Sequence, residues 1–144
     1  MGDFDLVKHK KNLGVNAFSL AFAVNGKGTC NPTWGGILPI DSGGIIQNIK
    51  KFNAAGGEVI VSTGGALGKY LENSCITVDA LTNAYKKVLK VTGSHHIDLD
   101  VERKIPFDRM NMALAKIQKE DPKLEVSYTL PAGLHSRIRK AWMC

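Results

Sequence analysis

Four short apolar runs punctuate the chain: Ala17–Val24, Glu58–Ser62, His96–Val101 and Leu124–Leu130. Each is rich in residues that favour strands. Between them, apolar positions recur at three- and four-residue steps, so that they share one face of a helix. Ile45, Ile46, Ile49 and Phe52 do this before Gly56-Gly57. Leu81, Ala84, Tyr85, Val88 and Leu89 do it before Gly93, and Met110, Leu114 and Ile117 before Asp121-Pro122. Gly-Gly and Asp-Pro are effective helix stops. With an opening helix over Leu6–Leu13, the pattern predicts helix, strand, helix, strand, helix, strand, helix, strand. Such alternation gives an α/β fold, about four parallel strands joined by crossover helices. No linker, low-complexity segment or internal repeat interrupts residues 1–144, so the array is one domain. Periodicity leaves open whether the strands form an open sheet or part of a closed barrel.

Composition narrows the classes without choosing among them. A chain of 144 residues with 44% apolar and 22% charged residues can bury a core as a single domain. The net charge is +6, but the basic residues are scattered, among them Lys8, Lys10, Lys11, Lys50, Lys51, Lys86, Lys87, Lys90, Arg137, Arg139 and Lys140. With no aromatic–basic reader motif, the excess argues for solvated helix faces and against nucleic acid as a partner. No apolar run approaches the ~20 residues of a membrane span. No signal peptide is visible over Met1–Asn16, which leaves the localisation unknown. Cys30, Cys75 and Cys144 fit neither a zinc spacing nor a small disulfide framework; one bridge with a leftover thiol and three free thiols are both compatible. Cys30 and Cys75 each follow one of two neighbouring strands and are expected close together. The glycines of Asn25–Cys30 have no helix pattern behind them, so a nucleotide cradle is a poor match. Neither a cofactor nor a metal is expected.

The segment with most chemistry is His96-Ile97-Asp98-Leu99-Asp100-Val101-Glu102. Side chains alternate faces along a strand. Ile97, Leu99 and Val101 are therefore expected against helices, with Asp98, Asp100 and Glu102 in a row on the other face, about 6.6 Å apart. Carboxyls this close resist simultaneous ionisation, so at least one should hold its proton to higher pH. A protonated carboxyl near neutral pH is what protonates a glycosidic oxygen. The row alone also fits the solvated face of an edge strand. It does not fit a calcium loop, which requires a glycine turn after the second acid. His95 and His96, as neighbours on a strand, point to opposite faces and do not make a metal pair.

One strand earlier lies Ser62-Thr63-Gly64-Gly65. The ordered pair Ser-x-Gly-Gly then Asp-x-Asp-x-Glu resembles glycoside hydrolase family 18, the chitinase family. Ala21-Phe22-Ala23, Cys30 through Gly36 and Val126 through Pro131 are similar to its bacterial-type branch. The resemblance covers roughly Leu6 to Leu134. It implies an incomplete (β/α)8 TIM barrel holding strands two to five, since a whole barrel takes about 250 residues; the tail Leu134–Cys144 does not continue the pattern. It further implies Glu102 as general acid, Asp100 orienting the substrate's N-acetyl group, and Asp98 supporting Asp100. The expected reaction is substrate-assisted, retaining cleavage of β-1,4-linked N-acetylglucosamine, with chitin or its oligomers as partner. Ser62, Gly64 and Gly65 would floor the site, with Trp34 and Tyr128 as substrate-binding aromatics. Three departures stand out: His95-His96 ahead of the row, Thr63, and Arg103-Lys104 after the acid. A chitin-binding lectin without turnover and an inactive remnant are the alternatives. The family is usually secreted. Half a barrel is expected to leave open edges and an uncovered apolar interior, hence impaired activity and self-association.

Overall fold

The computed structural model describes residues 4–130; Pro131, the tail Leu134–Cys144 and its basic residues lie outside them. Each predicted helix forms where its apolar stripe can be buried. α1 (Leu6–Leu13) is capped by the Asp5 carboxylate, which accepts from the Lys8 N–H. α2 spans Gly43–Ala54 and buries Ile46, Ile49 and Phe52. α3 (Leu71–Ser74) is a single turn. α4 (Val78–Thr92) starts at a Thr77 cap and ends at Gly93, whose φ of 64° suits glycine. α5 spans Phe107–Glu120 and buries Met110, Leu114 and Ile117.

The strands are β1 (Ala17–Asn25), β2 (Pro32–Trp34), β3 (Leu38–Pro39), β4 (Glu58–Gly64), β5 (His96–Asp100) and β6 (Glu125–Thr129). They form one sheet in the order β3-β2-β1-β4-β5-β6. The four expected strands, β1, β4, β5 and β6, are parallel. This is the mixed α/β architecture the alternation predicted, with the barrel incomplete. The addition is β2–β3, which extends the sheet antiparallel to β1. Strands of three and two residues, bracketed by Pro32, Pro39 and the Gly35-Gly36 turn, carry too little pattern to be read from sequence.

Alternate residues of the parallel strands have opposite fates. Phe18, Leu20, Val59, Val61, Ile97, Leu99, Val126 and Tyr128 pack into two apolar clusters with the helices. Ile97 and Leu99 pack with Leu81, Tyr85, Met110 and Leu114; Val59 and Val61 pack with Ile46, Ile49 and Phe52. On the opposite parity, adjacent strands align Ser19, Ile60, His96 and Glu125 in one layer, and Ala21, Ser62, Asp98 and Ser127 in the next. The expectation of an apolar interior is therefore corrected. Apart from Ile60, that face is built of small, hydroxylic and charged side chains, which water can solvate.

Cys30, in the loop after β1, is bridged to Cys75, just after α3, with Cα atoms 4.6 Å apart. Their proximity follows from the adjacency of β1 and β4 in the sheet. Cys144 lies outside the described residues.

Candidate active site

The acidic row stands where parity placed it. Asp98 and Asp100 are the middle and last residues of β5, while Ile97, Leu99 and Val101 are buried on the helix side. β5 ends at Asp100, so Glu102 lies just beyond the ladder, at the C-terminal end of the strands, and is exposed.

Neighbouring strands supply the row's hydrogen bonds. Ser62 on β4 and Ser127 on β6 pair with Asp98 from either side. Their hydroxyls donate to its carboxylate at 2.9 and 2.8 Å. Thr129 Oγ1 adds a third donor at 3.1 Å to Oδ2. Three hydroxyls converging on one carboxylate fix its rotamer. Asp100 has a different environment. Partial burial raises its pKa, and the nearby charges of Glu102 and Asp98 push in the same direction. Asp98 is thus fixed by hydroxyls from both neighbouring strands, and Asp100 retains its proton above the ordinary aspartate range.

The glycines are steric requirements. A Cβ on Gly64 would sit 2.1 Å from the Asp100 carbonyl oxygen, and φ there is 93°. A Cβ on Gly65 would meet the Phe22 ring at 2.7 Å, while the Gly65 N–H donates to the Asp100 carbonyl at 3.0 Å. The chain can pass this close to β5 at Gly64 and to the Phe22 ring at Gly65 only without side chains at these positions.

Two expected substrate-binding aromatics are placed elsewhere. Trp34 lies in β2, is 7% exposed, and donates its indole N–H to the Ile40 carbonyl at 3.0 Å. Tyr128 pairs with Leu99, not with Asp98 or Asp100. Its ring packs with the helix-side cluster and its hydroxyl meets Asn111. Neither ring is on the face of the acidic row. Phe22, half-buried against Gly65, is the aromatic that reaches the loop following β4.

Sequence reasoning missed Tyr70 and Glu72. Tyr70 is buried, with its hydroxyl among the Gly65 carbonyl, the Asp100 carbonyl and the Glu102 N–H. Glu72 lies on the helix side, where its Oε1 accepts from Thr63 and Tyr85. No strand alternation marks either residue, because both follow an irregular loop.

The histidines divide as expected for strand neighbours. His95 pairs with Asp121 at 2.7 Å, whereas His96 reaches Ser127 and Glu125. Among the described residues, no group of three or more His, Cys, Asp or Glu side chains is placed to hold a metal ion. None of the described helices is long and apolar enough to cross a membrane.

No family model matches the sequence. Relatives are nonetheless clear. The chain is 34% identical over 137 residues to a probable bifunctional chitinase/lysozyme of Escherichia coli (strain K12), an alignment covering 88% of this chain and 15% of that protein. Its fold matches catalytic-site mutants of active domain 2 of the thermostable chitinase from Pyrococcus furiosus, complexed with chito-oligosaccharides. The TM-score is 0.82 at 32% identity, over 89% of this chain and 42% of that one. It also matches a family GH18 chitinase from Chromobacterium violaceum, with a TM-score of 0.56 at 26% identity, over 78% of this chain and 32% of that one. The chain therefore spans less than half of each. Ser62 and Gly64 of the Ser-x-Gly-Gly segment stand in register with Asp98 and Asp100 on the adjacent strand, and over most of its length the chain is similar to part of the family GH18 chitinases.

Proposed function

We propose that this chain carries the acid-bearing part of a chitinase-type site, its four parallel strands standing for strands two to five of the barrel. Glu102 would protonate the glycosidic oxygen as the bond to the anomeric carbon breaks. The substrate's own N-acetyl oxygen would attack that carbon, giving an oxazolinium ion that Asp100 orients and stabilises. Water would then open the ring, returning its proton to Glu102, with net retention at the anomeric carbon. This is the substrate-assisted exception to the scheme with an enzyme nucleophile. Asp98, held by Ser62, Ser127 and Thr129, would keep Asp100 in place from below.

The observation that carries this reading is the division of labour within the row. Asp98 is satisfied by hydroxyls, Asp100 retains its proton to higher pH, and Glu102 is free of the ladder at the rim. A lectin without turnover has no need of the acid, and Glu102 is present. Chito-oligosaccharides are the proposed partner, by similarity to the Pyrococcus complex. Turnover by the 144-residue chain alone is expected to be weak. Among the described residues nothing faces the row from across the sheet, and holding a sugar in attack geometry is worth up to ~7–11 kcal/mol. The β6 edge, unpaired among the described residues, would favour pairing with a second sheet.

Glu102→Gln tests the assignment. Chito-oligosaccharide hydrolysis by the chain should fall by roughly 10²–10⁴-fold, or to background if it starts near it, with the circular dichroism spectrum unchanged. Hydrolysis at the wild-type rate in that variant would remove Glu102 from the mechanism.

A further inference from the structure

Arg103 stands where a cation next to the acid should form an ion pair with it, yet its guanidinium turns the other way. It donates to the carbonyl of Gly68 at 3.1 Å and to that of Ala66, and its Cζ lies 5.6 Å from the centre of the Tyr70 ring. Beneath it, the Tyr70 hydroxyl donates to the Gly65 carbonyl at 2.7 Å and accepts the Glu102 N–H at 3.1 Å. The Asp100 carbonyl is 3.3 Å from the same oxygen.

The position of these contacts along the chain gives them meaning. The last ladder contact of this strand runs from the Val101 N–H to the Thr129 carbonyl, at 3.2 Å. Beyond it, among the described residues, no strand neighbour remains to fix the backbone. A buried N–H without an acceptor is costly, and a side chain on unsupported backbone samples many positions. Tyr70 supplies the acceptor one residue past the ladder, at the residue bearing the carboxyl. Arg103 caps its ring and ties down the Ala66–Gly68 loop from which Tyr70 emerges. A planar fork spanning two carbonyls while covering an aromatic face is a task lysine does not perform equally.

We propose that Tyr70 and Arg103 form a positioning clamp that sets the location of Glu102 relative to Asp100, with no role as catalytic residues themselves. The presence of Arg103 after the acid, a departure from the family pattern, is thereby given a use: its charge is engaged with backbone carbonyls and its fork holds the loop. The proposal rests on Glu102 belonging to the working site, but its test does not require turnover.

The test is a double-mutant cycle read on Asp100, with its side-chain carboxyl followed by ¹³C NMR across pH. Asp98 and Glu102 are the charged groups coupled to it, and Tyr70 is the further titratable group. In the otherwise wild-type chain, Glu102→Gln removes a neighbouring charge and should lower the Asp100 midpoint. In a Tyr70→Phe background, which deletes only the hydroxyl, the same change should move that midpoint by about half as much or less, because Glu102 no longer holds its place. Arg103→Lys keeps the charge and should reduce the coupling in the same direction, and it carries the test should Tyr70→Phe not fold. Coupling of the same size in both backgrounds, with either variant folded, means that Tyr70 and Arg103 only pack the loop and overturns the proposal. That outcome is separate from the turnover of Glu102→Gln, which decides the catalytic assignment by itself.

Discussion

Leu99 and Asp100 are adjacent in sequence and serve opposite ends. Leu99 is 1% exposed among Tyr85, Met110 and Leu114, and its parity partners Ile97 and Val101 are buried with it. Asp100 faces the open side, between Gly64 and Thr129. The helix-side face is made of branched and aromatic side chains whose removal from water stabilises the sheet. The open face, Ala21 and Ile60 apart, is made of serine, threonine, histidine and carboxyls, several of which hydrogen-bond across strands. Folding and chemistry therefore occupy the same strands with little competition, because a two-residue period separates them.

The largest effect is expected from the disulfide packed into the helix-side core. The Cys30–Cys75 bridge closes a separation of 45 residues, and a loop of that size contributes about 4 kcal/mol through restriction of the unfolded chain. Reduction should lower the urea midpoint accordingly. Thiol counting on the denatured, unreduced chain should give one thiol, the three cysteines less the two in the bridge. A count of three would remove the bridge from the account.

On the helix side, Leu99→Ala should destabilise the chain by about 3 kcal/mol, through lost burial and the cavity left behind. The measurement is chemical denaturation with unchanged m-value. A loss below about 1 kcal/mol would mean that this face is less tightly packed than its burial indicates.

Glu72 is the exception that sharpens the rule, an acid on the apolar side. It is 1% exposed, its Oε1 accepts from Thr63 and Tyr85, and its Oε2 has no hydrogen-bond partner. Burial is the chief cause that raises its pKa. The folded chain therefore holds this proton more tightly than the unfolded chain. The stability so gained is complete below the unfolded pKa and is lost as pH rises through the folded one. Glu72→Gln, which has no charge to bury, should leave stability nearly unchanged in acid and raise it by about 2 kcal/mol in mild alkali. Denaturation midpoints at several pH values measure this; a gap that stays constant with pH would show that Glu72 does not titrate between the two states.

How much of this was legible in the sequence follows from period and length. The four parallel strands and their helices were readable because each apolar pattern runs long enough to show its period. The acidic row was readable because Asp98, Asp100 and Glu102 share parity over five residues. The β2–β3 hairpin was not, since five strand residues in two pieces carry no period. The family resemblance suggests Trp34 and Tyr128 as substrate-binding aromatics. The ladder instead pairs Tyr128 with Leu99 and sets Ser127 and Thr129 beside the row. Applying to Val126–Thr129 the same alternation that assigned Asp98 would have selected the hydroxyls, but only with the register known, and register is set by the three-dimensional pairing. Tyr70 had no local signal at all; its role arises from three backbone groups that meet only in the fold.

The smallest expected effect is the most telling about the open face. Asp100 is held with its pKa above the ordinary aspartate value, first by partial burial and then by the charges of Glu102 and Asp98. The sign is therefore the same as for Glu72: the folded chain favours the protonated form, and stability falls as pH rises from the unfolded pKa through the folded one. At neutral pH the ionised carboxylate is a burden on the fold, moderated by the solvent that reaches this face. Asp100→Asn removes the charge and keeps the shape. It should be neutral or slightly stabilising near pH 7, by less than about 1 kcal/mol after screening, and without effect near pH 3, where the aspartate is already protonated. Thermal denaturation at the two pH values measures the difference. A clear loss of stability near pH 7 would place Asp100 among the groups that hold the sheet together. A gain, accompanied by loss of any chito-oligosaccharide hydrolysis, would identify it as a charge kept for chemistry at the fold's expense.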